Sequence, residues 1–445
     1  MRKSDQAHMK ARESLSLSAI FGGSTFVFSC RVTGAALTLF TQILLARWLG
    51  AAELGVYIIA FSWCVLLAAV GNVGITPATL RVIGRALAEH RPGSIWGYSR
   101  RGGQVVLCAS SVLAIALGLL AALSADRLPG GNATPFLIAL AAAPALALVS
   151  FQGQIAVAFR WLKTAFLPNE VLRPLFLILI IGAIWVSTEE LSATTVMTVQ
   201  TTLMFVTAVV LYIILRAGMR AEISPAPAEY DTRAWLRIGM PLLLITFFGN
   251  YFPEFMVILI GSHVATDQVA IFNASYRLAL IITFGLFAID SVTAPVASRL
   301  YAAGDIAELQ AVVRRATKLG FLCSLVAVSG FALFGQFMLG LFGEEFVVGY
   351  KTMMILAAAQ LARSAAGPVL SLMSVTGHQD SCLIVFASSL VAAVILVFAL
   401  VPIFGIHGAA LTVLLVTLGW SVWLHRLVVK HLGIRPSIFG VFARV

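Results

Sequence analysis

Cys382 to Pro402 reads CLIVFASSLVAAVILVFALVP, twenty-one residues without a charged side chain. As a helix rising 1.5 Å per residue, that segment covers about 30 Å, the thickness of a bilayer's hydrocarbon core. Comparable runs lie at 17–45, 55–77, 104–125, 135–158, 172–187 and 194–215 in the first half of the chain. They continue at 237–260, 269–296, 317–341, 351–374, 382–402 and 407–425 in the second. Over all 445 residues, 60% are hydrophobic, only 11% are charged, and mean hydropathy is +0.98. A water-soluble domain needs a charged, mixed surface and cannot have this composition. The strands of a closed barrel would alternate in polarity over about ten residues, and none of these segments does. The sequence predicts an all-α polytopic membrane protein of about twelve transmembrane helices.

Lys and Arg should gather on every second loop if the spans are drawn correctly. Of the 30 basic residues, 24 fall on the side that holds the N-terminus, Arg160, Lys163 and Arg173 among them. The opposite loops hold Arg47, Arg127 and Lys351, and Arg31, Arg277 and Arg363 fall inside spans. Both termini are therefore expected in the cytoplasm, with the spans in the bacterial inner membrane. The net charge of +11 has the same origin: basic loops orient the chain and touch anionic lipid headgroups, and nucleic acid is not an expected partner. The apolar N-terminal run contains Arg31 and lacks a clean small-residue cleavage site, so it reads as a retained span. The five cysteines sit in apolar spans without paired spacing, which argues against disulfides and metal.

The chain repeats itself at an offset near 215 residues. Leu49 to Tyr57 (LGAAELGVY) answers Ile260 to Phe272 (IGSHVATDQVAIF), and each closes an outer loop and opens the next helix. PATLR at Pro77 to Arg81 answers PVASR at Pro295 to Arg299, and the pair Arg100, Arg101 answers Arg314, Arg315. Six helices per repeat is an even number, so both halves enter the membrane in the same direction. Two six-helix lobes related by a pseudo-two-fold along the membrane normal follow. The expected layout is a cytoplasmic segment 1–16, an N-lobe 17–215, a linker 216–236, a C-lobe 237–425 and a cytoplasmic tail 426–445.

LARWLGAAELGVY (Leu45 to Tyr57) resembles the signature after the first helix of Wzx-type polysaccharide flippases, in the multidrug/oligosaccharidyl-lipid/polysaccharide exporter superfamily. PVASRLYAAGD (Pro295 to Asp305), LFGEEF (Leu341 to Phe346), VTGHQD (Val375 to Asp380) and FGIHGAAL (Phe404 to Leu411) agree with it. The resemblance implies an alternating-access cycle that moves an undecaprenyl-pyrophosphate-linked oligosaccharide to the outer leaflet for surface polysaccharide synthesis. It also implies exchange for H+ or Na+ with no other cofactor, and polysaccharide polymerase and glycosyltransferases as pathway partners. A cation-coupled multidrug exporter shares the fold and is the nearest rival. A glycan polymerase or ligase is the rival of another class, disfavoured by short outer loops and by the lack of HExxH, GxSxG, Walker or GxGxxG motifs.

Charges deep in a span are costly and are expected to face a cavity or a partner. Arg31 shares one helical face with Ser24, Thr38 and Gln42, and Arg363 lies mid-span with Gln360 beside it and Pro368 available to kink the helix. Asn250, Tyr251 and Glu254 line one face of the seventh span, and Asn273 and Arg277, four apart, line one face of the eighth. Glu254 and Arg277 lie at similar depth and are expected to pair. Arg31 and Arg363, with Gln42 and Gln360, are assigned to a pyrophosphate or acidic sugar, which guanidinium groups grip with paired hydrogen bonds. Glu254, Arg277, Asn250 and Asn273 are assigned to ion coupling. Asp290, nearer the inner end, reads as structural. With three deep arginines and few deep carboxylates, the spans suit anionic cargo better than cationic drugs.

Overall fold

A computed structural model describes residues 17–123, 133–188, 190–376 and 379–438. The segment 1–16, residues 124–132 with Arg127, Glu189, Gly377, His378 and residues 439–445 lie outside them. Among the described residues the chain is all helical, and ten helices are long and apolar enough to cross a membrane. Leu17–Gly71 holds two of the spans, joined without a loop where Gly50 takes φ 74. Tyr350–Ala366 and Val369–Val375 together make one more, span 10, so the spans among the described residues number twelve.

Every span but the second is longer than its hydropathy run. Span 3 occupies Pro92–Leu123, span 6 Ala193–Glu222, span 9 Ile306–Gly340 and span 12 Ile406–Leu432. The extra turns carry the basic residues of the terminus end, such as Arg100 and Arg101 in span 3, which snorkel where the hydrocarbon stops. The run expected at 55–77 is shorter than drawn: span 2 ends at Gly71, and a separate helix, Ile75–Ala88, follows after a left-handed Gly74. That short helix buries Ile75, Ala78, Ile83 and Ala86 and turns Arg81 and Arg85 outward, as an interfacial helix does.

The largest departure concerns span 5. It begins at Leu162, ten residues before its apolar run, passes through a π-helical segment Leu167–Leu172 and continues as Arg173–Thr188. Pro168, Asn169 and Glu170 lowered the local hydropathy enough to hide this stretch. Arg173, counted with the loop charges of the terminus side, therefore stands eleven residues inside a helix, about 16 Å from its start.

The two halves repeat one packing plan. Span 4 (Thr134–Ala158) packs against spans 3 and 6 in the N-lobe, and span 10 packs against spans 9 and 12 in the C-lobe. The lobes meet chiefly through Leu17–Gly71 against span 7 (Thr232–Gly261) and the first half of span 8 (Thr266–Leu280). At the end away from the termini, an ideal Cβ on Gly55 would lie 1.9 Å from the Thr266 carbonyl oxygen, so only glycine lets these lobes close.

Candidate functional site: a polar cavity between the lobes

The seam between the lobes holds a cavity of about 310 Å³, reaching from mid-bundle toward the far end. Spans 1 and 2 give it Thr38, Gln42 and Tyr57, spans 5 and 6 give Arg173 and Gln200, and the C-lobe gives Glu254, Asn273 and Arg277. Its polarity is not self-satisfied. Gln42 Oε1, Asn169 Oδ1, Arg173 Nη1, Gln200 Oε1, Glu254 Oε2 and Arg277 Nε are buried without a hydrogen-bond partner. A buried polar group left unpaired costs about 1–3 kcal/mol. Six such atoms around one space amount to a surface shaped for something polar.

Arg277 Nη2 donates to Glu254 Oε1 at 3.1 Å, and the side chains are 30% and 12% exposed. The helical spacing explains the meeting. Glu254 lies seven residues from the end of span 7 and Arg277 eleven from the start of span 8, so an antiparallel pair brings them near one level. Arg173 has no ion pair among the described residues. It feels Glu170 and Tyr57 electrostatically, but no carboxylate comes within ion-pair distance. The cavity wall thus holds two guanidinium groups and one carboxylate.

The structure divides the sequence-derived candidates. Gln42, Asn273, Glu254 and Arg277 come together on this wall. Asn250 is exposed one turn away from Glu254, and Arg31, Arg363 and Gln360 lie elsewhere. Arg31 is exposed at the lobe seam, its guanidinium 5.7 Å from the Phe166 ring centroid of the N-lobe and 5.4 Å from the Phe287 centroid of the C-lobe. The stripe it shares with Thr38 and Gln42 splits because the cavity begins at Thr38. The side chain of Ser24 lies outside those described. Arg363 is half-buried inside the C-lobe, 5.8 Å from the Trp420 ring centroid and within electrostatic reach of Asp290 without touching it. Gln360 is 4% exposed with Oε1 unpartnered.

Arg173, Asn169 and Gln200 are among the cavity residues the sequence reading missed. For the first two a signal was present: LPNEVLRP (Leu167 to Pro174) is a polar, proline-containing segment abutting an apolar run, the mark of a broken transmembrane helix lining a cavity. Gln200, seven residues inside span 6, was visible as a lone carboxamide in an apolar segment.

At the far end, contacts between lobes run through helix termini. Arg47 Nε donates to the Leu341 carbonyl at 2.6 Å, where span 9 ends, and Ala51 N donates to Glu345 Oε1 at 2.8 Å, where span 2 begins. A cation sits on a helix C-terminus and an anion on a helix N-terminus, the favourable sense for both dipoles. Glu53 makes the same kind of contact within the N-lobe, accepting from Ala193 N at 2.8 Å where span 6 begins.

Two lobes of six spans around a polar seam cavity are the layout of a membrane-transporter fold. The sequence profile of the family described as polysaccharide biosynthesis protein matches residues 21–301, and the chain belongs to that family. No curated protein matches it in sequence. Among solved structures, it is similar to an inward-facing multidrug-resistance transporter of the MATE family, MOP superfamily, at 16% identity and TM-score 0.72 over 90% of this chain and 95% of that one. It is similar to the lipid II flippase MurJ in an inward closed conformation at 13% identity and TM-score 0.69, covering 91% and 87%. A MOP superfamily transporter from Pyrococcus furiosus aligns at 15% identity and TM-score 0.60 over 92% and 96%. These likenesses establish the fold.

Proposed function

We propose that this protein flips an undecaprenyl-pyrophosphate-linked oligosaccharide from the cytoplasmic to the outer leaflet of a bacterial inner membrane, for surface polysaccharide synthesis. The observation that carries the reading is Arg173: a guanidinium in mid-bundle, on a cavity between two lobes, without a counter-ion in contact. A fixed cation deep in hydrocarbon is expensive unless an anion visits it. A pyrophosphate or an acidic sugar supplies that anion, and the unpartnered carboxamides of Gln42 and Gln200 match sugar hydroxyls, which both donate and accept.

In this cycle the basic loops and both termini face the cytoplasm. Arg31, at the seam between two phenylalanines, meets the headgroup as it enters from the terminus end, and Arg173 and Arg277 hold it in the cavity. Glu254 is the coupling group. A far-side H+ or Na+ that neutralises its carboxylate releases Arg277 and frees a second guanidinium for cargo. Polysaccharide polymerase and glycosyltransferases would supply and consume the cargo on either side.

The test is to delete the gene in its host and follow two pools. Loss of surface polysaccharide with lipid-linked oligosaccharide retained on the cytoplasmic leaflet, both restored by the wild-type gene, is the expected result. Unchanged glycans with raised sensitivity to cationic drugs would instead make this a drug exporter.

A further inference from the structure

Span 10 is broken inside the C-lobe. Tyr350–Ala366 stops because Gly367 takes φ 82 and Pro368 has no N–H to give. In an unbroken helix the Ala365 carbonyl would accept from the amide of residue 369. Val369 N bonds instead to the Gly367 carbonyl at 2.8 Å, so Ala365 loses its helical donor. Backbone groups at membrane depth need a partner from within the protein.

The partner comes from the other end of the chain. After span 12 the backbone turns at Gly433 and runs back over the break, where Ile438 N donates to the Ala365 carbonyl at 2.9 Å. Thr317 Oγ1, buried in span 9, donates to the Pro436 carbonyl at 2.7 Å. Gln310 holds Arg435 in both senses, its Nε2 donating to the Arg435 carbonyl at 3.0 Å and its Oε1 accepting from Arg435 N at 2.7 Å. Ile434 is fully buried. Gly367 is required twice over: for its positive φ, and because an ideal Cβ there would stand 2.5 Å from Thr317 Oγ1 and 2.7 Å from the Pro436 carbonyl oxygen.

We propose that residues 434–438 are an intramolecular strap that holds the break in span 10 and thereby positions Arg363. Arg363 lies two residues before the strapped carbonyl, in the last turn of its helix, and its guanidinium rests over Trp420 of span 12, the span from which the strap emerges. The turn that carries Arg363 is therefore held from one side by the indole and from the other by the strap. Gln310 and Thr317 are positioning residues: they hold Arg363 against Trp420 behind the cavity wall, so their effect on export passes through the packing of the C-lobe and not through contact with cargo. The inference rests on the transporter reading above.

The test uses the full-length protein in lipid nanodiscs and in the deletion host at matched membrane levels. Gln310→Ala with Thr317→Val should speed amide exchange across residues 369–375 by about tenfold, an opening of the strapped turn, while exchange in span 6 stays as in wild type. Export of surface polysaccharide should fall to the level of Arg363→Ala, and adding Arg363→Ala to the strap variant should lower it no further. Thr317→Ser, which keeps the hydroxyl, should behave as wild type. Unchanged exchange, faster exchange with full export, or additive losses with Arg363→Ala would each overturn the strap's role. Failure of the transporter reading looks different: Arg173→Ala and Arg277→Ala would then leave export intact whatever the strap does.

Discussion

Span 5 in the N-lobe and span 10 in the C-lobe are each interrupted beside an arginine, and the two interruptions are built differently. In the N-lobe, span 5 widens into a π-helical segment just before Arg173, so its backbone stays hydrogen-bonded within the helix while the side chain is turned into the seam cavity. In the C-lobe, span 10 breaks outright after Arg363, and a carbonyl must be satisfied by the chain's own C-terminal segment. The first device needs nothing from elsewhere and faces the cavity. The second depends on tertiary contacts and keeps its arginine behind the wall. Pseudo-symmetric lobes can thus place the same side chain at comparable depth for unequal purposes.

If that asymmetry is right, removing the N-lobe arginine should cost most. Arg173→Ala is expected to weaken binding of a pyrophosphate-bearing lipid by about 100-fold, the scale of roughly 3 kcal/mol for hydrogen bonds to a charged group. Binding to the purified protein checks it, and Arg363→Ala should lose much less. A larger loss for Arg363→Ala would reverse the comparison.

The pair on the opposite wall comes next. Glu254→Gln leaves Arg277 with its charge uncompensated and should lower unfolding free energy by about 3 kcal/mol, measured by denaturation in micelles, and adding Arg277→Gln should recover much of it. If the double variant is as unstable as the sum of the singles, the two groups do not act as a pair.

A smaller effect is expected at the far-end contacts. Glu345→Gln weakens the acceptor for Ala51 N by about 1 kcal/mol and should shift the distance distribution between spin labels on the two lobes roughly fivefold toward separation. Glu53→Gln, whose contact stays inside the N-lobe, should leave those distances unchanged. The smallest effect belongs to the interfacial helix, where a hydrogen bond from Arg85 holds the Glu89 carboxyl below the usual carboxylate range. A lowered folded-state value adds stability above the unfolded carboxylate pKa and loses it as pH falls through the folded value. Because both side chains are exposed, Glu89→Gln should leave the melting curve unchanged at neutral pH.

The spans and their pairing into lobes were legible because burial in lipid demands long apolar runs and because the repeat carries its own landmarks. Glu254 and Arg277 were legible for a related reason: their depths can be counted from helix ends. Arg173 was not, since Pro168, Asn169 and Glu170 made a cavity-lining stretch look like a loop to any average over neighbours. The continuous passage from span 1 to span 2 at Gly50 was hidden as well, because the bend absorbs no extra residues. The strap was beyond reach: nothing in the residues 434–438 alone says that Ala365, some seventy positions away, lacks a donor.

The central claim, that the seam cavity holds the pyrophosphate end of a lipid-linked cargo, is tested most directly by titrating undecaprenyl pyrophosphate into the purified protein in nanodiscs by native mass spectrometry. Saturable binding to wild type that drops by about 100-fold in Arg173→Ala and is unaffected by Glu53→Gln is the expected result. Equal binding to wild type and Arg173→Ala would contradict it.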